Sequence, residues 1–160
     1  MNDELTLEAT IDVEAAPAEV WAVVSDLRRM GEWSPECRRM VAWGGVREGA
    51  WVLGVNRRGP MVWPTNSRIT RYEPPTAIAW RVLENGTEWS YQLTPTDSGT
   101  RLTERRVAPA GVTPLGRAFA RVFLGGPRGH DVELLEGMQT SLRRIRTEVE
   151  RGRARGSRPR

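Results

Sequence analysis

Glu104 and Arg106 are the two residues whose type and spacing best suit chemistry in this chain of 160 residues. They alternate along Gly99-Thr100-Arg101-Leu102-Thr103-Glu104-Arg105-Arg106, so an extended backbone puts Thr100, Leu102, Glu104 and Arg106 on one face. If Leu102 points into an apolar interior, an acid and a cation go in with it, placed to orient a polar group of a bound molecule. If a bulge reverses the alternation, both lie in solvent. The sequence leaves both open. Asn56 is a further polar candidate, sharing a face with Val52 and Gly54. The opposite face, Trp51, Leu53 and Val55, is apolar as well, so alternation does not settle its direction.

Tryptophan is the strongest feature of the composition. The seven tryptophans, Trp21, Trp33, Trp43, Trp51, Trp63, Trp80 and Trp89, all precede residue 90. They could form a wall that stacks on a flat, ring-bearing ligand, or they could simply fill a broad sheet. Trp63, Trp80 and Trp89 fall mid-strand and are the candidates for ligand contact. Trp89 shares a face with Tyr91 and Leu93, and Trp80 with Ile78 and Val82. His130 has the chemistry of a general base, but it stands at a helix start with no serine or cysteine marked as a partner. Cys37 opens a strand and reads as a small buried thiol. No phosphate-cradling glycine loop, catalytic triad or metal motif is present, so no metal or cofactor is expected.

Composition narrows the classes. One cysteine excludes an internal disulfide, and one histidine leaves no zinc cluster. No stretch approaches the ~18 uninterrupted apolar residues of a membrane helix. The acidic start Met1-Asn2-Asp3-Glu4 does not resemble a secretion signal, so a cytoplasmic protein without stable membrane insertion is expected. The net charge is +4, but the last ten residues hold five of the 24 basic residues and no acid. Without them, 19 basic residues face 20 acidic ones in positions 1–150. Every basic residue is arginine, which reads as coding bias and not as a phosphate-recognition surface. No nucleic-acid partner is therefore expected, and 151–160 reads as a disordered arginine-rich tail beyond a single domain at 1–150.

The elements that must position the candidates follow from periodicity. Leu5 to Glu14 alternates strictly and predicts a half-buried strand. Pro17 then opens a helix over about 17–26, with a second helical turn over Leu27–Gly31, ending before Trp33-Ser34-Pro35. Turn signals at Gly44-Gly45, Gly59-Pro60, Glu73-Pro74-Pro75, Asn85-Gly86 and Asp97-Ser98-Gly99 separate runs at 37–43, 51–58, 62–72, 76–84, 87–95 and 100–108. Such short links join antiparallel neighbours. A short helix is predicted over 115–123. A long one follows over 131–151, with the stripe Leu135, Met138, Leu142, Ile145 and Val149.

Seven strands make a sheet roughly 34 Å wide. One helix only about 10–12 Å across is its main cover. The sheet must curl around that helix, and the enclosed space is expected to exceed what the side chains fill. Met138 and Leu142 on the helix, with Leu102 on the sheet, would line it.

This order of elements resembles the α+β helix-grip fold of the START-like, Bet v 1-like superfamily. More narrowly, the chain resembles the bacterial SRPBCC family, the polyketide cyclase/dehydrase and lipid-transport type. The likeness rests on Ala16-Pro17-Ala18-Glu19-Val20-Trp21, on Asp26 through Glu32-Trp33-Ser34-Pro35, on Tyr72-Glu73-Pro74-Pro75 with Ala79-Trp80, and on Gly99 through Glu104. It covers about residues 5–150. It implies a carrier or sequestering protein for a lipid-like or polyketide-like hydrophobic molecule, as monomer or homodimer. The alternative is an aromatase/cyclase or dehydratase, as relatives of this fold are, in which Glu104 moves protons while Arg106 or Tyr91 stabilises an enolate, with Asn56 as a further polar group. Trp33 matches a family position that is mainly structural, near the cavity mouth. A third reading is an interaction or regulatory module whose arginine tail contacts nucleic acid or an acidic partner; the tail lacks interleaved aromatics, and arginine bias explains it more cheaply. Residues 109–130 read as a flap over the mouth.

Overall fold

The computed structural model describes residues 5–108 and 127–156. The predicted helix at 115–123 and the flap expected at 109–126 lie outside the described residues. Strand β1 (Leu5–Val13) is followed by α1 (Pro17–Val24), a 3₁₀ turn (Leu27–Arg29) and α2 (Met30–Trp33). The meander is β2 (Cys37–Ala42), β3 (Trp51–Arg58), β4 (Met61–Glu73), β5 (Ala77–Val82), β6 (Glu88–Thr96) and β7 (Gly99–Ala108). The last element is α3 (Pro127–Gly156). The sheet is antiparallel throughout, in the order β1-β7-β6-β5-β4-β3-β2. The helix-grip expectation holds.

The alternating sequence of β1 turns Ala9 and Val13 into the core and leaves Thr6, Glu8, Thr10 and Asp12 in solvent. Opposite the concave face, α3 lays down Met138, Leu142, Ile145 and Val149, all fully or nearly fully buried, with Leu135 partly so. These recur every three or four residues, the spacing that keeps one helical face toward a core. α1 contributes Val20 and Val24 from below; Pro17 opens it, and the Glu19 carboxylate accepts the Ala16 N–H at 2.8 Å. Thr100 is buried and donates its hydroxyl to the Ala15 carbonyl at 2.7 Å, fastening β7 to the link between β1 and α1.

Two elements run further than periodicity indicates. α2 continues through Trp33 instead of stopping near Gly31, with the Ser34 N–H closing its last turn on the Met30 carbonyl, and Gly31 sits directly against the Arg38 carbonyl at the start of β2. A side chain there would force the two backbones apart. α3 extends to Gly156, so 151–156 of the expected disordered tail are helical; 157–160 lie outside the described residues. Arginine and alanine are good helix formers, and cations suit the carboxyl end of a helix. Arg151 lies 4.0 Å from Glu148, and Arg153 donates to the Glu14 carbonyl. At the other end of α3, Glu133 is paired with Arg58 of β3.

Replacing Gly31 by alanine is expected to destabilise the protein by about 1–3 kcal/mol, the usual cost of overpacking. Urea unfolding monitored by tryptophan fluorescence measures it; an unchanged midpoint would mean that α2 does not need its close seat on β2.

Candidate functional site

β7 pairs with β1 from Leu5↔Ala108 to Val13↔Thr100, and with β6 from Glu88↔Val107 to Thr96↔Gly99, without a register shift. No bulge reverses its alternation. Leu102 and Glu104 are therefore both buried on the concave face, at 0% and 6% exposure, while Arg101 and Arg105 point to solvent. Tyr91 is the direct cross-strand neighbour of Glu104, Trp89 of Arg106, and Leu93 of Leu102. On the next strand, Ile78 stands opposite Tyr91 and Trp80 opposite Trp89. Trp80 and Tyr91 are both buried, their rings 5.8 Å apart and tilted at 52°.

The polar atoms within this face are incompletely paired. Glu104 Oε2, Trp33 Nε1 and Arg106 Nη1 are buried and make no hydrogen bond. Each such group normally costs about 1–3 kcal/mol when left without a partner. The Tyr91 hydroxyl points at Met30 Sδ, 3.9 Å away, a weak acceptor. Because the three atoms have no accessible surface, no water-sized gap adjoins them. The roomy interior expected from sheet width is thus absent at this point. Trp33, Met30, Trp80 and Tyr91 are large, buried side chains, and the width argument left out their volume.

Burial sets the protonation states. The Glu104 carboxyl is raised from 4.5 to about 8, chiefly by desolvation and opposed by the Tyr91 hydroxyl, which favours the carboxylate. Tyr91 is pushed well above its ordinary value by desolvation first and by the Glu104 charge second; the Trp33 indole acts the other way. Near neutral pH the pair is a carboxylic acid beside a phenol, both uncharged. Burial also lowers Arg106, with Asp131 and Glu36 opposing, and raises Glu36. Arginine stays protonated in any case. The Cys37 thiol rises to about 11, mainly through burial, which removes it as a nucleophile near neutrality.

Among the other candidates, Met138 and Leu142 lie fully buried on α3. Asn56 and Trp63 face each other across β3 and β4, both half-buried, and the Asn56 amide donates to Thr65 Oγ1 at 3.1 Å. They sit beside the Arg58 end of β3, four strand pairings from β7 along the sheet, though Cys37, the cross-strand neighbour of Asn56, is close enough to Tyr91 to act on its hydroxyl across the curl. Trp89 is half-buried, with the Arg106 guanidinium carbon 5.9 Å from its ring centre. Trp43 and Trp51 are exposed at 60% and 46%, and Arg68 lies over the Trp51 ring at 4.4 Å. His130 falls in the first turn of α3, its side chain outside the described residues. Sequence reasoning missed the polar role of the Trp33 indole and the presence of Met30 and Glu36. The i, i+3 spacing of Met30 and Trp33 on α2 was the available signal for the first two. Nothing marked Glu36.

A groove of about 400 Å³ lies elsewhere, between α2 and α3, lined by Glu32, Trp33, Thr140, Arg143, Arg144, Thr147, Glu148 and Arg151. Its acids are engaged by Arg29, which reaches Glu32 at 2.6 Å and Glu148 at 2.9 Å. Among the described residues, no cluster of histidine, cysteine or carboxylates could hold a metal, and no helix is long and apolar enough to cross a membrane.

A curled antiparallel sheet gripping a C-terminal helix, with a polar pair set in its apolar concave face, defines the helix-grip class. Residues 4–150 match the family model described as polyketide cyclase / dehydrase and lipid transport, and the chain belongs to that family. An uncharacterized protein of Mycobacterium tuberculosis is 32% identical over 127 residues, covering 75% of this chain and 89% of its own. The solution structure of a polyketide-cyclase-like protein of Corynebacterium glutamicum matches over 100% of both chains with 29% identity and a TM-score of 0.66. The di-domain ARO/CYC StfQ from the steffimycin biosynthetic pathway shares the fold at 17% identity and a TM-score of 0.74, over 94% of this chain and 52% of its own.

A pH dependence follows from Glu104. The unfolded chain releases this proton near 4.5, whereas the folded protein holds it to about 8. Between those values the folded state binds more protons, so stability falls as pH rises through the interval. Glu104→Gln is expected to flatten that decline and to raise the melting temperature most at the alkaline end, by several degrees. Thermal unfolding across the interval checks this; a wild-type profile already flat and unaltered by the substitution contradicts a proton-bearing buried carboxyl.

Proposed function

We propose that this protein binds a small hydrophobic molecule, lipid-like or polyketide-like, between the concave face of the sheet and α3, and carries or sequesters it. The observation behind this reading is the Glu104 carboxyl: buried, uncharged near neutral pH, and lacking a partner on Oε2. Ile78, Leu93, Leu102 and Leu142 are buried in the same core. A hydroxyl or keto oxygen on a ligand would take up the hydrogen-bonding capacity that Glu104 and the Trp33 indole leave open, while the apolar body displaces side chains at the mouth. The family to which the chain belongs supports this, and a cytoplasmic monomer or homodimer accords with it.

A second reading is favoured by the same carboxyl. A group raised to about 8 exchanges protons readily near neutrality. Acting on a polyketide chain, the carboxylate form of Glu104, which fills as the pH approaches 8, would remove a proton from the carbon between two carbonyls and return it to the hydroxyl that leaves as water, while Tyr91 or Arg106 stabilises the enolate. The name of StfQ points in this direction.

Native mass spectrometry of protein purified from its own host is expected to show a bound molecule of a few hundred daltons; a bare polypeptide mass in repeated preparations overturns the carrier reading. With that ligand identified, Glu104→Gln separates the two. A carrier retains binding within several-fold and shows no turnover in either form. An enzyme binds comparably but loses turnover by about 10²–10⁴-fold, the span of general acid–base catalysis.

A further inference from the structure

Glu104 can shed its charge on burial, but Arg106 cannot. Its guanidinium remains cationic, its Nη1 is buried, and that nitrogen makes no hydrogen bond. Glu36 and Asp131 act on it, Glu104 shares its strand face, and Glu133 stands near Glu36. Glu36 and Asp131 face it, yet neither closes an ion pair with it among the described residues. Glu133 is engaged by Arg58. Glu104, two residues along the same face of β7, holds its proton near neutrality. Arg106 is half-buried as a whole, and the desolvation of its inner Nη1, which has no close counter-ion among the described residues, is not repaid. What would repay it is an anion arriving with a guest.

Position specifies that guest further. Alternate residues on a strand stand about 7 Å apart, so a molecule reaching both groups carries two oxygen functions separated by roughly that distance. One meets the uncharged Glu104–Tyr91 pair in the apolar interior. The other meets Arg106 beside the half-buried Trp89 ring. The geometry points to an amphipathic carboxylic acid as the ligand: an apolar, flat or chain-like body, its carboxylate on Arg106 and an uncharged hydroxyl or keto oxygen on Glu104. A guanidinium suits a carboxylate because its N–H groups match both oxygens. This rests on the binding reading above and specifies the chemical class of what is bound. The half-buried Asn56 and Trp63 stand on the neighbouring strands β3 and β4, beside Arg58. Arg58, the cation beside them, is taken by Glu133.

The test uses the full chain and two rigid probes, 2-naphthol and 6-hydroxy-2-naphthoate, which share a hydroxylated ring system and differ by the carboxylate. Calorimetric titration near neutral pH is expected to give a dissociation constant at least about tenfold lower for the hydroxynaphthoate, the worth of one charge-assisted hydrogen bond. In Arg106→Met the ratio of the two constants is expected to fall to about one, and in Arg106→Lys to an intermediate value. Thermal unfolding of each variant establishes that it is folded, and Arg106→Gln serves if the methionine variant is not. Equal affinity for both probes in the wild type, or an undiminished ratio in the methionine or glutamine variant, overturns the acid-ligand inference while leaving hydrophobic binding intact. Failure of both probes to bind the wild type overturns the binding reading and this inference with it.

Discussion

The ladder that β7 forms with β1 on one side and β6 on the other decides the character of the interior. Nine consecutive pairs with each neighbour leave no room for a slip. Alternation then makes Leu102, Glu104 and Arg106 a set that must face the same way. Burying Leu102 is favourable by about 1.5–3 kcal/mol, as for any large aliphatic side chain. Burying Glu104 and half-burying Arg106 is not, and the fold accommodates them by different routes. Glu104 takes up a proton next to Tyr91. Arg106 keeps its charge, lies beside the Trp89 ring, and faces Glu36 and Asp131 without closing an ion pair to either.

The other elements hold this arrangement in place. α2 brings the Met30 sulfur and the Trp33 indole to the Tyr91–Glu104 pair, and it reaches that position because Gly31 permits direct contact with β2. Arg144 of α3 donates to the Trp33 carbonyl at 3.1 Å, and Arg29 bridges to Glu148 of the same helix. α3 is itself tied at both ends, through Glu133 to β3 and through Arg153 to the backbone before α1. The arginines that dominate the charge count are thus spent largely on joining elements.

Much of this was legible in the sequence because it depends on local periodicity. The alternation in Leu5–Glu14, the turn signals and the three-four spacing of Met138, Leu142, Ile145 and Val149 placed every described element to within a few residues. The inward direction of Glu104 was legible only as one of two options, since the pairing that excludes a bulge is made by residues more than 80 positions away in β1. Gly31 could not be read at all: its requirement arises from a backbone contact with Arg38 that exists only after α2 docks. Asn56 and Trp63 were correctly placed on one face, but how far along the sheet they stand from Glu104 follows from the register of four intervening pairings. The degree of filling was misjudged because sheet width counts strands and ignores how much space a buried Trp33 or Tyr91 occupies.

The same alternation bears on how this chain can diverge. A single-residue insertion or deletion within β7 would exchange its two faces, sending Arg101, Thr103 and Arg105 inward and expelling Leu102 and Glu104. Length in that strand is consequently locked, whereas the loop between Val82 and Thr87, closed by its own backbone hydrogen bonds, has no such restriction. Descendants of this sequence are free to alter which side chains greet a guest, one substitution at a time, but must do so without changing the number of residues that carry them.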